Sequence, residues 1–129
     1  MSMYLWAAAR AKTAKTKTYT YYWDHTLPGP ESDRYGAFHS SEIPYVMNTL
    51  ATSDRPFTDA DRKIADMMSS YWVNFIRTGD PNGKGLPEWP VFDARNPITM
   101  EMGDKFTPIG VTGEKSRSAF FEKYFGRNR

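Results

Sequence analysis

Thr18-Tyr-Thr-Tyr-Tyr-Trp23 is the stretch on which the reading of this chain turns. All six residues are β-branched or aromatic, the composition that fits a pleated strand. Rings fall on both parities, at Tyr19, Tyr21 and Trp23 and again at Tyr22, so cover is expected on both faces. That is the pattern of a central strand in an α/β sheet, not of a hairpin edge. Such a strand needs a neighbour on each edge, because unpaired buried backbone groups are costly. One further strand is legible, Ile98-Thr-Met-Glu-Met102, and its alternation of apolar and polar residues suits a half-buried edge. The remaining neighbours are therefore expected outside the chain, which reads as the end of a larger protein.

Outward from the strand, residues 3–15 hold Leu5, Trp6 and a run of alanines with lysines gathering at the end, and they predict a helix. Pro28-Gly-Pro30 forces irregular chain that continues to Pro44. The clearest element is a helix over 58–77. Thr58-Asp-Ala-Asp61 has the spacing of a capping box, and Ile64, Met67, Met68, Tyr71, Trp72, Phe75 and Ile76 line one face. Gly79 stands where a left-handed cap is expected, and Pro81 blocks continuation. Arg77 and Asp80 are placed to pair around the turn that follows. Residues 114–125 predict a last helix, with Ala119, Phe120, Phe121 and Tyr124 toward a core. No repeat or linker divides the sequence, so residues 1–129 are taken as a single segment.

Hydrophobic residues make up 40% and charged residues 25% of the 129 positions, which excludes wholesale disorder. The absence of cysteine excludes disulfides, thiol catalysis and cysteine-bound zinc. No apolar run approaches the roughly 20 residues needed to cross a bilayer, so no membrane span is expected. The net charge of +2 divides into +4 over residues 1–23, from Arg10, Lys12, Lys15 and Lys17, and −2 over the remainder. Met3 to Ala9 is apolar but short, and it precedes these charges, so no secretory leader is assigned. Basic residues beside aromatics are also a footprint of nucleic-acid binding. Here the aromatics are assigned to a buried strand and the charges to a solvated helix face, and no nucleic-acid partner is expected.

Two histidines, His25 and His39, are too few for a multi-histidine metal site. His39 and Glu42 would share a helical turn as ligands, but Gly36 and Pro44 oppose a helix there. The glycines form neither a dinucleotide fingerprint nor a P-loop, and Gly-x-Ser-x-Gly is absent. What remains is Gly36-Ala-Phe-His-Ser-Ser-Glu-Ile-Pro-Tyr-Val46, a loop downstream of the strand. In α/β hydrolases the catalytic histidine sits on such a late loop, and imidazole suits general-base work near neutral pH. Position and chemistry alone leave His39 open between a general base and a surface or packing residue.

This loop resembles the histidine motif of the type-B carboxylesterases, the cholinesterase-like α/β-hydrolases. Tyr19-Thr-Tyr-Tyr-Trp-Asp-His25 is similar to that family's aromatic strand ending in Asp-His. Trp72-Val-Asn-Phe-Ile-Arg-Thr-Gly-Asp-Pro-Asn82 and Trp89-Pro90 resemble its late helix, turn and following segment. Met47 departs from the family's usual Phe, a matter of packing or of the pocket wall. The resemblance implies the C-terminal portion of an α/β-hydrolase fold and an ester substrate, with neither metal nor cofactor. His39 takes the position of the catalytic histidine. Glu42 matches a recurrent acid, read either as holding water or backbone near the site or as a structural acceptor for loop amides. His25 beside Asp24 is read as strand-end packing. Serine elbow, oxyanion loop and triad acid are not among these residues, so the chain by itself is expected to be inactive. Two rival readings share the same residues: a non-catalytic cholinesterase-like adhesion segment and a small basic-aromatic binding module.

Helices over 3–15, 58–77 and 114–125 each offer an apolar face, and the aromatic strand lacks a neighbour. If the chain folds alone, these surfaces predict a homo-oligomer with aromatic residues at its interface. Light scattering coupled to size exclusion at micromolar concentration should return a mass above the 14.8 kDa of one chain. A compact monomer that unfolds cooperatively and binds no apolar dye would overturn the expectation.

Overall fold

The computed structural model describes residues 2–111, 119–120 and 123–125. Helix α1 spans Ser2–Thr13 and strand β1 spans Tyr21–Asp24. Two single-turn helices follow, α2 at Ser32–Tyr35 and α3 at Ile43–Val46, then a 3-10 turn at Leu50–Thr52. The long helix α4 covers Asp59–Thr78, and strands β2 (Ile98–Gly103) and β3 (Phe106–Gly110) complete the described elements. The sheet order is β1-β2-β3. β1 runs parallel to β2 with Tyr21 opposite Met100, and β3 is antiparallel to β2 with Thr99 opposite Ile109. The connection from β1 to β2 carries α4 across the sheet, as parallel pairing requires.

Local chemistry accounts for the bounds of α4. Thr58 accepts from the Asp61 amide while the Asp61 carboxylate accepts from the Thr58 amide, so the expected capping box is formed. Gly79, at φ 77°, closes the other end in the left-handed conformation, donating its amide to Phe75 O. Ile64, Ala65, Met68 and Tyr71 are buried against Met100 and Met102 of β2 and against Trp89, Leu27, Tyr45 and Leu50. A smaller cluster seats Tyr4 and Ala7 of α1 on Phe92.

The structure corrects several expectations. Ile98–Gly103 is the middle strand of the three, not an edge, and Thr99, Met100, Met102 and Gly103 are all buried. Among the described residues β1 is paired on one side only. Its odd-numbered rings lie on the α4 face, Tyr19 and Tyr21 against Trp89 and Trp23 against Tyr45, while Tyr22 on the other face is 54% exposed. Strand β3 went unforeseen because Pro108 and Gly110 argue against a strand; an edge position tolerates both. The apolar face of α4 is buried only as far as Tyr71 and Trp72, and Phe75 and Ile76 reach solvent. Asp80 pairs with Lys17 at 2.9 Å instead of with Arg77. Most of the helix expected over 114–125 lies outside the described residues. Its described positions are helical, and Ala119, Phe120 and Tyr124 are exposed instead of facing a core; Phe121 lies outside the description.

The junction of β1 with the turn between β2 and β3 is tight. Gly103 sits at φ 148°, and a Cβ there would stand 2.5 Å from the Asp24 carbonyl oxygen and 2.9 Å from His25 Cβ. Only glycine satisfies both the conformation and the approach. Among the described residues no helix is long and apolar enough to cross a membrane.

Two measurements test this description. Gly103→Ala should unfold at a markedly lower temperature than Gly110→Ala, where a Cβ meets nothing within 4 Å; equal losses would contradict the close approach. The second concerns Asp61, where burial pushes the carboxyl up but bonds from the Thr58 hydroxyl, the Tyr45 hydroxyl, the Thr58 amide and the His25 ring outweigh it. They hold the group below the ordinary carboxylate range. A carboxyl depressed in the folded state stabilises above its unfolded pKa, and that contribution is lost as pH falls through the folded value. Stability should therefore fall from about pH 5 toward about pH 2. Asp61→Asn should flatten that slope while lowering stability near neutral pH by about 3 kcal/mol; equal slopes would remove Asp61 as the acid-sensitive group.

Candidate functional site

The loop between α2 and α3 folds back on itself at a four-residue turn. Ser41 donates its amide to Phe38 O at 3.0 Å, so His39 and Ser40 form the crown. Ser40 has φ 72°, the sign that a type II turn requires at its third residue. A side chain there costs roughly 1 kcal/mol, so the surroundings must hold the turn in place. Ser41 does part of this. It is buried, and its Oγ accepts the Trp23 indole N–H at 2.7 Å, tying the turn to β1. His39 itself is exposed, and among the described residues no hydroxyl or carboxylate hydrogen-bonds its ring.

Glu42 follows as the residue capping α3, where its backbone carbonyl accepts from the Tyr45 and Val46 amides at 3.0 Å. The residue is half-buried, and its carboxylate accepts from the Tyr21 hydroxyl at 3.4 Å. Burial, and after it the Glu42 charge, push that hydroxyl up from its ordinary pKa. Glu42 thus faces the strand, not His39.

α3 is anchored in turn. The buried Tyr45 donates its hydroxyl to Asp61 Oδ1 at 2.7 Å, and burial together with the Asp61 carboxylate holds that hydroxyl protonated far above its ordinary range. His25 Nε2 stands 3.0 Å from the same oxygen, and His25 Nδ1 stands 2.6 Å from Asp104 Oδ1. The ring also meets Trp23 and Tyr45 edge-on, with centroids 5.6 and 5.4 Å away. His25 therefore joins the end of β1 to α4 and to the turn after β2, and its carboxylate partners are Asp61 and Asp104, not the adjacent Asp24. Sequence reading did not foresee this network. The capping box singled out Asp61, but nothing local marks partners 36 and 79 residues from His25.

Beside the turn a groove of about 350 Å³ is lined by Leu27, Pro30, Tyr35, Phe38 and Arg55. Chemically, the described residues offer a solvent-facing imidazole on a braced turn next to an apolar groove. They offer no nucleophile–base pair: Ser41 Oγ is engaged by Trp23, and Ser40 sits beside His39 on the turn without bonding it.

Comparison with known proteins supplies the context. The model of the carboxylesterase family matches residues 2–121. Carboxylesterase 4A of Bos taurus is 30% identical over 123 residues, which are 92% of this chain and 22% of that protein. Cocaine esterase of Homo sapiens is 41% identical over 58 residues, 44% of this chain and 10% of its own length. Among solved structures, a carboxylesterase of Geobacillus stearothermophilus superposes with a TM-score of 0.70 at 27% identity, covering 88% of this chain and 24% of that one. The chain spans less than a quarter of each of these relatives. A parallel strand pair crossed by α4, with a histidine turn at the strand's end, is a portion of an α/β-hydrolase fold, and the chain belongs to the carboxylesterase family.

Proposed function

We propose that this segment supplies the general base of a serine carboxylic-ester hydrolase, and that His39 is that base. The observation that carries the reading is the position of His39: on the crown of a braced turn after β1, exposed, with its ring engaged by no described side chain. In the reaction His39 takes the proton of a serine hydroxyl as that oxygen attacks the ester carbonyl, and returns it to the departing alcohol; a second cycle with water releases the acid. Nucleophile, oxyanion donors and triad acid come from other parts of the complete fold. Residues 1–129 act as one piece of one hydrolase domain. The groove beside Phe38 forms part of the pocket rim. Glu42, held on Tyr21, keeps the base of the turn in register with β1. The open edge of β1 and the exposed Tyr22, Val73, Phe75 and Ile76 are surfaces that either the rest of such a fold or a second copy covers.

Two measurements test the proposal. The 129-residue chain should release p-nitrophenol from short-chain esters no faster than free imidazole at equal histidine concentration, because an oxyanion hole supplies much of the acceleration. A clearly faster rate that survives Ser40→Ala and Ser41→Ala would contradict the proposal. In the intact esterase carrying this segment, His39→Ala should lower kcat by about 10³-fold or more with the fold retained, and His25→Ala should cost far less kcat. Similar losses for the two would place the base elsewhere.

A further inference from the structure

We infer that Trp23 is a positioning residue for the base: its indole N–H, through Ser41 Oγ, fixes where the crown of the turn holds His39. The inference rests on the proposed role of His39 and adds a device that acts through it.

The argument starts from what the His39 ring lacks. No described side chain orients it, so its position is set by the backbone of residues 38–41. That backbone is held by the Ser41 amide on Phe38 O and, at 3.3 Å, the Ile43 amide on Ser40 O, and it includes a serine in the left-handed region. The second reaches the first residue of α3, and neither reaches the sheet. Among the described residues, the hydrogen bond that ties residues 38–41 to the sheet is the 2.7 Å one from Trp23 to Ser41. Its two ends are of unequal freedom. The indole packs against Tyr45, at a centroid distance of 5.0 Å, and His25, at 5.6 Å, so ring contacts hold the donor independently of the bond. The acceptor is a buried hydroxyl oxygen two residues beyond His39, and its loss of a partner would carry a desolvation penalty.

The pair thus works as a strut from a rigid strand to a strained turn. A misplacement of a reacting group by about 1 Å costs on the order of 10²-fold in rate, so slackening the strut should appear in the chemical step more than in substrate binding.

The experiment is a double-mutant cycle on Trp23→Phe, which keeps the ring contact and deletes the donor, and Ser41→Ala, which deletes only the acceptor oxygen. In the intact esterase carrying this segment, each single variant should lower kcat by about tenfold or more with KM within about twofold, and the double variant should be no worse than the poorer single one. Multiplying losses, or unchanged kcat in both variants while His39→Ala is inactive, would overturn the strut and leave the base assignment standing. An active His39→Ala would instead overturn the base assignment and the positioning role with it. Hydrogen exchange on the full 129-residue chain reads the strut without catalysis. Trp23→Phe should speed exchange of the Ser41 amide by about tenfold while amides within α4 keep their protection. Unchanged protection at Ser41 would overturn the inference whatever the activity does.

Discussion

The carboxylate of Asp61 is the constraint on which the described structure depends. It is 3% exposed, yet it receives the Thr58 amide and hydroxyl, the Tyr45 hydroxyl and the His25 ring. A buried charge is tolerable only when its hydrogen-bonding capacity is filled, and here the donors come from three separate stretches of chain. The start of α4, the helix after the histidine turn and the end of β1 are therefore fixed relative to one another by one group. Asp104 extends the link to the turn between β2 and β3, where Gly103 lets the two strand ends approach.

The histidine turn is built on this frame in a graded way. Tyr45 and Glu42 fix α3, Trp23 reaches the turn through Ser41, and His39 stands beyond the last fixed group. In the proposed role His39 has to meet partners that lie on other elements, and a ring already bonded within its own loop would have to be released first. Bracing of the backbone with freedom of the imidazole is consistent with a histidine that completes its hydrogen bonds across a larger fold.

Much of this was legible where the signal is local. Thr58, Asp61 and Gly79 are terminal signals that act within one turn, so the bounds of α4 could be read to within a residue. The α/β class followed from the aromatic strand, and His39 and Glu42 were singled out by chemistry and by the motif around them. The failures are of another kind. Thr99 and Glu101 gave β2 an edge-like alternation, although Thr99 is buried; which strand is central is decided by pairing, not by local pattern. Pro108 concealed β3. The bonds from Trp23 to Ser41 and from His25 to Asp61 join residues 18 and 36 positions apart and leave no trace in sequence spacing.

The parallel pairing of Tyr21 with Met100 also sets an order of events in the cell. The partners lie about 80 residues apart, and a ribosome working at about 5–20 residues per second needs roughly 4–16 s to add that length. Until then the aromatic strand has left the exit tunnel with no β2 to join, while α4, whose caps are local, can already be helical. β1 therefore gains its β2 edge only after α4 is complete, and any slowing of synthesis between Trp89 and Ile98 would lengthen that interval.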